Sequence, residues 1–313
     1  MSKYLVTGGA GFVGSNIVHH LISEGADVRV LDNFSTGRRE NLAEVHHEID
    51  LIEGDLRSQE ICRQAVQGID YVLHQGAMPS VSRSVADPFT SNDTNANATL
   101  NMLVAARDAE VKRFVYASSS SIYGDSPTLP KVESMDPRPK SPYAVAKLAA
   151  EHFCRIFYDL YGLETVCLRY FNVFGPRQDP NSQYSAVIPL FITSLLDGKP
   201  LTIYGDGTQS RDFTYVENNI AANLLASTAP TADVAGQVFN IACGQRYTIL
   251  ELVDALNEIL GTNIQPNFDG SRRGDVKHSQ AAIDKAQNSL GYKVQASFID
   301  GLRKTVEWYQ RHE

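Results

Sequence analysis

Four cysteines in 313 residues, at 62, 154, 167 and 243, lie too far apart for a CxxC pair, and no histidine cluster stands beside them. That spacing argues against a disulfide scaffold, a zinc site and a dithiol redox motif. Basic residues are outnumbered, 28 Lys and Arg against 36 Asp and Glu, for a formal charge of −8. Such a chain has no general attraction for nucleic acid or an anionic membrane, so any phosphate it holds must be held locally. No apolar run approaches the roughly 18 residues of a membrane span. The opening residues reach Gly8 and Gly9 too soon for a secretory h-region, and a cytoplasmic protein is expected. What is present is an ordinary globular composition, 43% hydrophobic and 20% charged, in a chain long enough for about two domains.

The first half alternates. Short β-branched runs at Tyr4–Thr7, Val28–Leu31, Ile49–Glu53, Tyr71–His74, Arg113–Ala117 and Thr165–Arg169 are separated by stretches with helical spacing. Strand, helix, strand at this interval means βαβ units and a parallel sheet. After Asn172 the alternation fades into Pro/Gly-punctuated turns, and Thr248-Ile-Leu-Glu251 reads as a capping box opening a helix. The expected fold is α/β: a Rossmann-like doubly wound parallel sheet with a smaller C-terminal α/β substrate domain. Boundaries are placed at 1–172 for the first unit and 173–313 for the second, with a segment near 212–240 returning to the first.

Gly8-Gly-Ala-Gly11-Phe-Val-Gly14 follows the first strand and opens a helix. A tight turn needs glycine's dihedrals, and a backbone without Cβ atoms lets a pyrophosphate approach amides at a helix N-terminus. Asp32 ends the second strand 18 residues past Gly14. A carboxylate there accepts ribose hydroxyls and repels a 2′-phosphate, which points to NAD. Arg38 and Arg39 follow nearby and could argue for NADP, although a surface basic pair is the plainer reading. Gly54-Asp55-Leu56, after the third strand, is the natural place to meet the adenine.

Ser141-Pro142-Tyr143-Ala-Val-Ala-Lys147 places a good N-cap, then proline at the first helical position, then Tyr143 in the first turn. Lys147, four residues on, shares its face. A tyrosine of pKa about 10 needs a shift of roughly 3 units, near 4 kcal/mol, to act as a base at pH 7. Lys147, the helix N-terminus and an oxidised nicotinamide could share that work. Alone, YxxxK is common, and a tyrosine beside a surface lysine is its usual meaning. Here it follows a dinucleotide turn and the run Ser118–Ser121, whose hydroxyls at the end of a parallel strand point into the ligand crevice.

The glycine turn, the serine run and Tyr143-x-x-x-Lys147 together resemble the extended short-chain dehydrogenases/reductases. Arg169-Tyr-Phe-Asn172-Val-Phe-Gly175 narrows the likeness to the nucleotide-sugar branch. Within that branch the chain looks most like UDP-N-acetylglucosamine and UDP-glucose 4-epimerases, through His74-Gln-Gly-Ala77, Asp179-Pro-Asn181, Ala186-Val-Ile-Pro189, Arg211-Asp-Phe and Arg272-Arg-Gly-Asp275 with Ser279. The resemblance covers essentially the whole chain. It implies NAD as cofactor and Ser119, Tyr143 and Lys147 as the catalytic residues. It also implies that Gly8, Gly11, Phe12, Val13, Asp32, Asn33, Ser35, Thr36, Gly37, Asp55 and Leu56 contact the cofactor. Gln75, Gly76, Ala77, Asn95 and Tyr170 complete that set, together with Tyr143 and Lys147. Gly76 stands where alanine is common in the family, a departure of little expected consequence.

For the UDP-sugar, the resemblance implies Ser80, Ser119, Ser120, Tyr143 and Asn172 at the hexose and phosphates. Ala186, Val187, Thr202 and Tyr204 match positions lining the uridine, and Asp275 meets its ribose. Arg211 and Arg272 hold the diphosphate, and guanidinium forks suit that geometry. Ser279 flanks the sugar's C2 substituent, where a large aromatic would exclude an N-acetyl group; it also reads as an N-cap for a Gln280–Leu290 helix. No metal, nucleic acid or membrane is implied, and a homodimer through helices around Asn95–Ala109 and Tyr143–Tyr161 is. Nucleotide-sugar dehydratases and decarboxylases are the near rivals; they carry acids just after the catalytic hydroxyl, where Ser120 and Ser121 stand. UDP-glucuronate 4-epimerase survives better, but no cation for its sugar carboxylate is assigned. A dinucleotide-sensing regulator could discard Tyr143 and Lys147.

Overall fold

The computed structural model describes residues 2–180, 186–270 and 277–312. Seven strands, all paired in parallel, form the central sheet. The first unit runs β1 (Lys3–Thr7), α1 (Phe12–Ser23), β2 (Asp27–Asp32), β3 (Ile49–Glu53), α2 (Gln59–Ala65) and β4 (Tyr71–His74). It continues through α3 (Ala98–Asp108), β5 (Arg113–Ser119), α4 (Pro142–Tyr161) and β6 (Thr165–Tyr170). Helices α5 (Val187–Leu196) and α6 (Val216–Thr228) follow, then β7 (Gln237–Ile241), α7 (Ile249–Leu260) and α8 (Phe298–His312). Strand order is 7-6-5-4-1-2-3, so the order reverses between β1 and β4, the place where such sheets open a ligand crevice.

Side-chain alternation along each strand explains the two layers. Val6, Val30, Leu73, Val115 and Phe239 face α1 and α6, burying Ile17, Val18, Leu21 and Ala222. Leu5, Leu31, Val72, Phe114 and Cys167 face the other way, onto Met102, Leu103, Ala150 and Phe157. Both faces are covered, which is why these strands read as continuous apolar runs. A separate core of Phe174, Phe191, Ile203, Phe213, Leu256, Phe298 and Leu302 gathers α5, α7, α8 and short strand pairs. The polar stretch before α3 is helical but wound more widely at Asp93–Asn97.

One expectation fails. Helical turns near Leu290 begin only at Asp284, so Ser279 caps no helix; its backbone N–H donates instead to the Ser210 carbonyl at 3.0 Å. The segment is extended there because His278 bridges to Ser210 across a short parallel pairing. No helix among the described residues is long and apolar enough to cross a membrane.

Candidate active site

At the end of β1 the chain turns on Gly8, whose φ of 65° is the left-handed region that favours glycine. A Cβ at Gly14 would lie 2.1 Å from the Gly8 carbonyl oxygen, so the helix can start this close only without a side chain. Asp32 is nearly buried beside this turn. Its Oδ2 accepts from the Ala10 N–H at 2.9 Å and its Oδ1 from the Phe34 N–H at 2.8 Å. Burial pushes its carboxyl up, and these backbone donors oppose the shift. Arg39 pairs with Glu53 at 2.6 Å and lies over the Phe34 ring, while Arg38 lies near Glu40 and Asp179. Carboxylates already oppose both arginines, which weakens the NADP reading.

Beyond Asp32, the Ser35 N–H donates to Asn33 Oδ1, and the Asn33 amide donates to Asp55 at 2.8 Å, ahead of Thr36 and Gly37. Hydrogen bonds from Arg57 hold the Asp55 carboxyl down at about 2. Leu56 lies against Gly76, where a Cβ would come within 2.4 Å of Leu56 Cδ1. Glycine at 76 is therefore the fitting residue, and the small consequence expected of it is a local packing exchange. Gln75, Tyr170 and Asn223 close a ring of hydrogen bonds. Asn223 donates to the Tyr170 hydroxyl at 2.6 Å, that hydroxyl to Gln75 at 3.1 Å, and Gln75 back to Asn223 at 2.9 Å. Asn223, far away in sequence, carries no motif that would have revealed it.

The N-cap of α4 is Ser141, whose hydroxyl accepts from the Ala144 N–H at 3.2 Å, with Pro142 first in the helix. Tyr143 is thus in the first turn. Lys147 is buried, donates to the Ala117 carbonyl at 2.8 Å and stands 5.9 Å from the Tyr143 ring centre. Burial lowers its ammonium to about 8, with Glu151 opposing. Burial raises the Tyr143 phenol above its ordinary value, and the neighbouring Ser119 hydroxyl works against the rise.

The four serines separate by strand geometry. Ser118 points to the other side of β5 and donates to buried Glu151, itself paired with Arg169 at 2.8 Å. Ser119 is the side chain that acts on Tyr143, and its oxygen accepts from the Ser121 N–H at 3.2 Å as it caps the short turn Ser120–Tyr123. Ser80, at φ 99°, holds a strained backbone and caps the next helix, accepting from the Arg83 N–H. Asn95 is buried and binds both backbone polar groups of Met78.

Ser119 lies opposite Tyr170 in the sheet, two residues before Asn172. Asn172, Ala186, Val187, Thr202, Tyr204 and Arg211 line one cavity of about 250 Å³. Leu190, Phe191, Gln209 and Phe213 line it too; the sequence reading missed them, though Leu190 and Phe191 fall at helical spacing from Val187. Arg272 and Asp275 lie outside the described residues. Ser279 is not among the residues lining the cavity; its N–H is tied to Ser210, which lies between the lining residues Gln209 and Arg211. No metal-holding group of His, Cys, Asp and Glu is found among the described residues.

The family model for the NAD dependent epimerase/dehydratase family matches residues 4–242. The chain belongs to that family. A solved UDP-N-acetylglucosamine 4-epimerase from Methanobrevibacter ruminantium, in complex with UDP-N-acetylmuramic acid, is 40% identical with a TM-score of 0.94, covering 100% of this chain and 99% of that one. A UDP-glucose 4-epimerase from Thermotoga maritima, solved with UDP-glucose, is 36% identical with the same TM-score and 99% coverage of each chain. The UDP-glucose 4-epimerase of Mycolicibacterium smegmatis is 35% identical over 312 residues, 98% of each. This family member is an extended short-chain dehydrogenase/reductase, and its cofactor is NAD. The bare glycine turn and the anchored Asp32 carboxylate fit that dinucleotide.

Proposed function

We propose that the protein reversibly inverts C4 of UDP-hexoses, interconverting UDP-N-acetylglucosamine with UDP-N-acetylgalactosamine and UDP-glucose with UDP-galactose. The observation that carries this reading is Ser119 and buried Lys147 brought together around Tyr143, with serines rather than acids at 120 and 121. NAD, when bound, supplies an oxidised ring that takes hydride from C4 and returns it. Tyr143 takes the O4 proton through Ser119 and gives it back after the 4-keto sugar has turned over. Burial leaves the phenol raised despite Ser119, so its use as a base calls for positive charge brought beside it. Serines at 120 and 121 offer no carboxyl to assist elimination or decarboxylation, which favours simple inversion at C4.

Arg211 and Arg272 grip the diphosphate and the cavity holds the uridine. A homodimer is supported by the exposed apolar residues Val145, Ile156 and Leu160 on α4, with Val85 and Phe89 on the neighbouring short helices. Ser279, small and freed from helix capping, leaves space for an N-acetyl group. Ser279→Tyr is expected to suppress turnover of the acetylated pair by roughly 5- to 150-fold, the equivalent of about 1–3 kcal/mol of overpacking, and to spare the plain pair. Equal loss on both pairs in a product assay would refute the gate.

A further inference from the structure

His74 is fully buried at the end of β4, in register with Thr7 of β1, on the two strands that flank the crevice. Nothing in the proposed reaction uses it. Its surroundings fix its hydrogens by counting donors. The Gly76 amide can only donate, and it donates to Thr7 Oγ1 at 3.1 Å. Thr7's own hydrogen is then free for His74 Nδ1, 2.8 Å away. On the far side, Thr99 donates its hydroxyl to the Asn95 carbonyl at 2.8 Å, and that carbonyl can only accept. Thr99 has no hydrogen left for His74, so the Nε2 that lies 3.1 Å from it must carry one.

One chain of bonds results, all pointing the same way: Gly76 N–H to Thr7, Thr7 to Nδ1, Nε2–H to Thr99, Thr99 to the Asn95 carbonyl. Asn95 closes it, for its side chain binds the N–H and carbonyl of Met78 at 2.9 and 3.2 Å. Both ends therefore hold the same three-residue stretch, Gly76–Met78. That stretch crosses the dinucleotide turn at contact distance: a Cβ on Gly8 would sit 2.7 Å from Gly76 Cα. Neither a doubly protonated ring nor the other tautomer completes the chain. Burial disfavours a charged ring here, and a second cation would also face Lys147.

We infer that His74 is a positioning residue for the cofactor, a neutral Nε2–H imidazole whose two bonds fix the Gly76–Met78 edge against the glycine turn. The inference rests on the dinucleotide reading of this site and not on the choice of sugar. Nitrogen NMR of 15N-histidine-labelled protein tests it first, the His74 signals being those absent from His74→Asn. Nε2 should be protonated and Nδ1 bare, with neither changing between pH 5 and 8; a proton on Nδ1, or titration in that range, overturns the assignment. Equilibrium binding to cofactor-stripped protein tests the consequence. His74→Phe should weaken NAD by about tenfold, since Thr7 and Thr99 lose their partners, while UDP binding stays within about twofold. His74→Asn, able to accept from Thr7, should recover part of that loss. A folded His74→Phe that binds NAD as the wild type does would overturn the positioning role. If His74→Phe does not fold, the ring-nitrogen spectrum of the wild type still decides. Wild-type protein that binds no NAD would refute the cofactor reading beneath the inference, a result the spectrum separates from failure of the bond chain.

Discussion

Tyr143 owes its place to three local choices: a serine cap, a proline that starts the helix, and a strand end that brings Ser119 to meet it. Tyr143→Phe should keep the fold and bind UDP-sugar yet lose about 10²- to 10⁴-fold in kcat, the usual worth of a general base. Ser118 cannot stand in for Ser119, because its hydroxyl is committed to Glu151 on the opposite side of the strand. Lys147 presents the opposite trade. Its folded-state value of about 8 lies below the ordinary 10.5, so between those values the unfolded chain holds the extra proton and wild-type stability rises with pH. Lys147→Met should therefore be inactive yet at least as stable as wild type at pH 7, with its advantage shrinking as pH is raised from 8 to 10. Thermal melts of the two proteins across that range check the sign; a margin that widens with pH would contradict it.

Among the elements, Asp212 joins three pieces that no motif links. Its carboxylate accepts the N–H groups of Cys243, Gly244 and Ala281 at 3.0–3.1 Å, stapling the end of β7 and the segment after Ser279 to the strand that carries Arg211. Asp212→Asn turns an NH₂ toward one of these donors and should cost about 1–3 kcal/mol. Burial pushes the Asp212 carboxyl up to about 7 from 3.8, against the three donors. The folded protein then holds the extra proton between those values, and stability falls as pH rises from about 4 to 7. The Asn variant should lack that slope in denaturant titrations at pH 5 and 7.5. The six early strands are legible in sequence to within about two residues, because short, mostly apolar runs alternate with stretches of helical spacing. The Gln280–Leu290 helix is misread because an extended pairing to Ser210 replaces its first turn, a tertiary contact that local propensity does not record.

At the scale of the molecule, the sheet reverses its strand order beside the glycine turn, and the chain places its chemistry where β1, β4, β5 and β6 end. That much is readable from motif and spacing, since the glycines, Asp32 and Tyr143–Lys147 each fall at a characteristic interval along the chain. The polar networks behind them are not. Glu151 with Arg169, Asn223 with Gln75, and His74 with Thr99 meet across 18 to 148 residues, and none is marked by a local pattern. Central to the proposed function is reversible inversion at C4 with the cofactor returned at each turnover. The most direct measurement is to incubate purified protein, without added NAD, with UDP-N-acetylglucosamine and separate the sugar nucleotides. UDP-N-acetylgalactosamine is expected to approach a fixed ratio from either side, with NAD remaining on the protein. No C4 epimer from any UDP-hexose, or product formed only with stoichiometric consumption of a reduced dinucleotide, would contradict it.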